Sequence, residues 1–155
     1  MSNDQESTGL PLNESIDLSG AEVGFPVFPN GTLAPARILK IELRQSKANP
    51  NNQNIAVVFE TTSVLSTLDG IDRAPGVPFT TYIPNGPSMK NPDWDWQKNK
   101  KDRLAEIKLA VTGDKTGQFN SADYIGKEVI LRLGLSQNQS GDASNDIKRV
   151  MALGH

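Results

Sequence analysis

A chain of 155 residues suits one domain, and its 36 % hydrophobic and 22 % charged residues, with 13 glycines and 10 prolines, favour a β-rich, turn-rich fold over a helical bundle. The absence of cysteine excludes disulfides, thiolate metal sites and cysteine nucleophiles, and the single histidine, His155, is the last residue. The net charge of −2 conceals an asymmetry: residues 1–30 carry Asp4, Glu6, Glu14, Asp17 and Glu22 and no Lys or Arg, so the remaining chain holds 16 basic and 13 acidic side chains.

Residues 1–24 are polar and acidic, with Gly9 and Pro11 interrupting any helix, and read as a flexible arm ahead of a domain over 25–155. The arm has neither the basic start nor the apolar stretch of a signal peptide, and no apolar run is long enough to span a membrane. A soluble, intracellular protein with no membrane partner is expected.

Pro29-Asn30-Gly31 signals a turn before the first strand, expected over 33–44. There Leu39, Ile41 and Leu43 share one face, and Lys40, Glu42 and Arg44 the other. After an Asn-rich hairpin tip, a second strand over 54–61 points Ile55, Val57 and Phe59 one way. A loop through Leu68-Asp69-Gly70 and Ala74-Pro75-Gly76 leads to a third strand over 78–84, where Phe79, Thr81 and Ile83 alternate with Thr80 and Tyr82.

The Pro- and Asn-rich loop 85–95 ends in Trp94-Asp95-Trp96 and opens a helix over 96–111, with a stripe of Leu104, Ile107 and Val111 and a capping Gly113. A fourth strand over 128–135 turns Val129, Leu131, Leu133 and Leu135 to the core, and a fifth over 147–153 closes the domain. The order β-β-β-α-β-β is that of a five-stranded OB-type barrel, mainly β with one helix between strands three and four. A β-sandwich is the other all-β option, made less apt by the helix at that position.

The carboxylates are scattered over turns and solvent faces, and no Gly-rich phosphate loop or calcium loop is present. No enzyme, metal or cofactor is therefore expected, and Asp93 and Asp95 read as a solvated loop. Sequence-tolerant binding of single strands needs cations for phosphates and flat rings for bases. Candidate cations are Lys40, Arg44, Arg132, Lys148 and Arg149, together with Lys98, Lys100 and Lys101 at the helix start; Arg37 is a weaker candidate. Candidate rings are Tyr82, Trp94 and Trp96, with one of the two tryptophans read as packing beneath the helix. Phe79 reads as core.

Several short motifs carry a resemblance. Asp17-Leu18-Ser19-Gly20 precedes Phe25-Pro26 and Pro29-Asn30-Gly31-Thr32, then a strand ending in Arg44-Gln45-Ser46-Lys47. Later come Asp123-Tyr124-Ile125-Gly126-Lys127-Glu128-Val129-Ile130-Leu131-Arg132-Leu133-Gly134 and Asn145-Asp146-Ile147-Lys148-Arg149. Across about 16–153 this pattern resembles a family of short phage single-stranded DNA-binding proteins. The resemblance implies an OB fold and strand coating without strong sequence preference in phage replication and recombination. It also implies partners among replication or recombination proteins, with a homo-oligomer as a further option.

The chain departs from the family at Asn49-Pro50-Asn51, in the long loop 63–78, and at 151–155, which lacks the aromatic and acidic tip used to recruit partners. The acidic arm is a candidate substitute for that tip. The rival class is a phage virion subunit that decorates or stabilises the head, which would be small, β-rich and armed in the same way. An OB module that binds only protein is a third option.

Overall fold

Alternation of small and apolar residues with polar ones builds the first strand, and one bulge sets its two faces. The computed structural model describes residues 13, 15–18, 26–47, 50–137 and 140–154. In it β1 (Leu33–Gln45) buries Ala34, Ala36 and Ile38, while Leu33 and Arg37 face outward. Along β2 (Gln53–Thr61), Ile38 pairs with Phe59 and Lys40 with Val58, which leaves Leu39 as an extra residue. This β-bulge moves the inward set from even to odd positions, so Ile41 packs on the core and Lys40, Glu42 and Arg44 stay outside. The expected core face of Leu39, Ile41 and Leu43 therefore holds only for Ile41. Leu39 is exposed at the bulge and Leu43 is exposed near the hairpin tip.

The connection after β2 contains a two-stranded ribbon, β3 (Leu65–Ser66) with β4 (Asp72–Arg73), where a plain loop was expected. β5 (Pro78–Asn85) then pairs with β2, α1 (Trp96–Thr112) crosses over, and a single 3₁₀ turn (Ser121–Tyr124) precedes β6 (Glu128–Gln137). β7 (Ala143–Ala152) starts four residues earlier than the sequence pattern indicates.

The long strands and the helix follow the expected order, but the OB-type barrel is not formed. The strands make one open antiparallel sheet in the order β5-β2-β1-β6-β7, giving a mixed α/β domain. β5 and β7 approach one another, yet among the described residues no strand pairing joins them. Two features account for the open seam. Pro78 and Pro84 remove N–H donors from β5 and blunt it as an edge. α1 packs against both edge strands and engages their side chains instead: Arg103 donates to Thr81 Oγ1 at 2.5 Å, and Arg149 Nε to Glu106 Oε2 at 2.8 Å.

α1 starts where Asp95 accepts a hydrogen bond from the Lys98 N–H at 3.0 Å, and ends at Gly113, whose φ of 80° closes the last turn onto the Leu109 carbonyl at 2.9 Å. It buries Ile107 and packs Leu104 and Val111 on a core of Phe28, Ile38, Phe59, Ile83, Leu131 and Leu133. Leu135, expected in that core, is exposed.

The early start of β7 places Asn145 where it clamps Phe28. Its amide accepts from the Phe28 N–H at 2.7 Å and donates to the carbonyls of Phe28 and Gly134, both at 2.9 Å. The acidic arm expected over 1–24 lies outside the described residues apart from 13 and 15–18, where Ile16 and Leu18 are exposed; His155 also lies outside them. No helix among the described residues is long and apolar enough to cross a membrane.

Candidate nucleic-acid interface

The outer face of β1, β2 and β5 gathers three of the residues nominated from sequence. Register aligns Glu42, Ala56 and Tyr82 in one row across the three strands, and Arg44, Asn54 and Pro84 in the next. Tyr82 is 50 % exposed, and the Arg44 guanidinium lies 6.0 Å from its ring centroid and donates from Nη1 to Tyr82 Oη at 3.2 Å. Glu42 lies between two cations. Arg44 Nε donates to its Oε2 at 2.5 Å, and Lys40 Nζ is 3.6 Å from its Oε1. The hydrogen bond from Arg44 holds the Glu42 carboxyl below the usual carboxylate range. Two cations and one anion leave this patch with one net positive charge.

A groove of about 510 Å³ continues from the second row. Asn54 and Pro84 lie on its sheet side, and Pro87, Met89, Lys90 and Trp94 from the loop after β5 are among its other lining residues. Among the described residues no carboxylate lines it. The loop is held by short-range bonds: Asn91 N–H donates to Ser88 Oγ at 3.1 Å, and Trp94 N–H to the Asn91 carbonyl at 3.0 Å. The next residue but one starts α1, so Trp94 is fixed between a turn and a helix cap and remains 40 % exposed. Close packing of Asn52 against Gly86 supports the loop from below. Asn52 Nδ2 donates to the Pro87 carbonyl at 2.7 Å, and a Cβ at Gly86 would fall 2.6 Å from Asn52 Cγ.

The remaining nominated residues lie elsewhere. Trp96 is half-buried under Lys100, whose Nζ is 5.2 Å from the ring centroid and donates to Asn85 Oδ1 at 3.0 Å. These contacts tie α1 to the end of β5. Lys98 pairs with Asp102 at 2.7 Å one helical turn on, and Lys101 is exposed. Arg132, Lys148 and Arg149 sit on β6 and β7 at the far side of the sheet order; Lys148 pairs with Asp146 at 3.0 Å, and Arg149 with Glu106. Arg37 pairs with Glu60 at 2.6 Å. Phe79 faces Phe28 at 6.0 Å between centroids and belongs to the core, as expected.

Lys90, Met89 and Asn54 were not nominated from sequence. The run Pro84-Asn85-Gly86-Pro87-Ser88-Met89-Lys90 ahead of Trp94 was the available signal, since a Pro/Gly-rich stretch that carries one cation marks an exposed surface; the acid next to Trp94, Asp93, is not among the groove's lining residues. Among the described residues no three Asp, Glu or His side chains are grouped to hold a metal ion, and Asp95 serves as the helix cap. No protein-family model matches the chain, and no curated protein matches it in sequence.

Proposed function

We propose that the chain binds single-stranded DNA across the outer face of β1, β2 and β5 and into the adjoining Trp94 groove. One observation carries this reading: two exposed rings, Tyr82 and Trp94, flank a row containing Arg44, and the groove wall adds Lys90 and no carboxylate. Rings for stacking beside cations for phosphates are what sequence-tolerant strand binding requires. The acid-free groove stands out in a chain whose acidic side chains outnumber its Lys and Arg. The likeness of its short motifs to phage single-strand binders points the same way, although the barrel that the likeness implied is not formed. The surface, not the fold, supports the assignment.

The test is fluorescence anisotropy of a labelled oligonucleotide of about thirty bases, single-stranded and duplex, at low and moderate salt, with tryptophan emission read in parallel. Salt-sensitive binding of the single strand with quenched emission is the expected result. Equal binding of the duplex, or no binding at low salt, overturns the assignment.

A further inference from the structure

We propose that the Trp94 groove seats one unpaired nucleobase and that the Asn54 carboxamide hydrogen-bonds its pairing edge, an inference that rests on the single-strand reading above. Asn54 is half-buried in β2, between Arg44 on one neighbouring strand and Pro84 on the other. Three polar side chains around it each have one atom engaged. The Asn52 amide bonds the Pro87 carbonyl, Asn85 Oδ1 accepts from Lys100, and Ser88 Oγ accepts from the Asn91 N–H. Asn54 lines the groove, and among the described residues its amide has no hydrogen-bond partner, so a donor and an acceptor remain available to a ligand there.

An adjacent donor and acceptor is also what the pairing edge of every nucleobase presents. Adenine and cytosine offer an amino hydrogen beside a ring nitrogen, and guanine and thymine offer a ring N–H beside a carbonyl. A carboxamide matches either order by turning over, so Asn54 can meet all four bases and need select none. It does discriminate against duplex, in which that edge is occupied and both ring faces are stacked. Trp94 supplies the ring face, Lys90 lines the groove, and Arg44 is the strand partner of Asn54, so two cations are near the seat for the flanking phosphates. The groove volume of about 510 Å³ lies within the range of sites for small organic groups.

The test compares two strands of equal charge, oligothymidylate of about twelve nucleotides and an abasic strand of the same length, against the full chain. The native protein should bind the base-bearing strand about tenfold or more tightly than the abasic one. Asn54→Ala should narrow that preference to about threefold and leave the slope of affinity against salt unchanged, because no phosphate contact is lost. Asn54→Val, a better strand former without hydrogen-bonding atoms, reads the same quantity if the alanine variant fails to fold. Equal affinity of the native protein for both strands, or an undiminished preference in either variant, overturns the base seat and leaves the single-strand reading standing. Binding of neither strand at low salt overturns both.

Discussion

Two hollows of similar size lie against the two edge strands, and they differ in how their charges are used. The Trp94 groove, about 510 Å³ beside β5, is walled by a tryptophan, a methionine, prolines and amides, with Lys90 the one charged lining residue among those described. The other, about 480 Å³ beside β7, is lined by Asp102, Arg103, Glu106, Asp146, Ile147 and Lys148. Its cations are committed: Lys148 to Asp146, and Arg103 to Thr81 on β5, while nearby Arg149 is held by Glu106. A phosphate entering the second hollow must displace a carboxylate from Lys148 or Arg149, or the Thr81 hydroxyl from Arg103, and exposed ion pairs are screened beyond a few ångströms. In the first hollow nothing has to be displaced. What matters to an anionic strand is the number of cations without a nearby acid, and by that measure the two regions are opposites.

The largest expected effect tests the contrast directly. Trp94→Ala should weaken single-strand binding by about tenfold to a hundredfold, since one stacked base contributes about 1–3 kcal/mol. The double variant Lys148→Ala/Arg149→Ala should change it by less than about threefold. Anisotropy titrations of both variants beside the native protein, with circular dichroism as the control for folding, settle the ranking. A larger loss from the double variant would transfer the interface to β7.

The sequence made the succession of long strands and the helix legible, because period-two alternation and an i, i+3, i+7 stripe are local properties. It did not reveal closure of the sheet. Whether β5 pairs with β7 depends on what lies between them, and α1 engages both through Arg103 and Glu106 with partners far along the chain. On β1 the outward set Lys40, Glu42 and Arg44 was readable, but the bulge at Leu39 broke the alternation without a Gly or Pro to announce it. The site was half legible for the same reason. Tyr82 follows from alternation on its own strand, and Trp94 from an exposed loop. Lys148 and Arg149 looked equally available, because the carboxylate opposite Arg149 comes from α1, 43 residues earlier. Charge pairing across the fold cannot be read from charge placement along the chain.

Glu42 offers the next largest effect, because it makes the favoured face partly resemble the disfavoured one. Glu42→Gln removes the acid shared by Lys40 and Arg44. Affinity for a single strand should rise about threefold to tenfold, and the salt dependence should steepen by about one phosphate contact. The pH dependence follows from the same bond. Arg44 holds the Glu42 carboxyl below its ordinary range, so it stays ionised until the pH falls beneath that range. Native binding should gain from protonation of Glu42 only there, whereas the glutamine variant should show the gain already at neutral pH. Titrations at two salt concentrations and at several pH values check both statements. Unchanged affinity at neutral pH would mean that Arg44 does not meet phosphate.

Gly86→Ala should have a smaller effect. The new Cβ would lie 2.6 Å from Asn52 Cγ and 2.7 Å from its two amide tip atoms, so the Asn52 side chain must swing aside and release the Pro87 carbonyl. Because the obstacle is the end of a side chain and not backbone, the domain should keep its fold and lose about 1 kcal/mol of stability. The loop bearing Trp94 should shift enough to weaken binding about threefold. A thermal melt and one titration separate the two effects, and intact binding would show that the Asn52 support does not position the groove.

The smallest effect is expected in the second hollow, where removing an acid asks whether that region can be turned into the first. Register places Arg132 directly opposite Arg149, and like charges in that position repel. Glu106 is the counter-charge that makes the arrangement tolerable: its carboxylate is only 26 % exposed at the side chain and accepts from Arg149 Nε at 2.8 Å. Glu106→Gln keeps the shape and removes the charge. Stability should fall by about 0.5–1 kcal/mol as Arg149 loses its counter-charge opposite Arg132, which a denaturant melt can detect. Arg149, newly without its carboxylate, should raise single-strand affinity by no more than about twofold, and only at low salt, because neither cation has a stacking ring assigned to it. A gain as large as that of Glu42→Gln would mean that charge alone governs binding and that Tyr82 and Trp94 add little. A gain confined to low salt would leave the rings of the β5 face as the feature that separates the two regions.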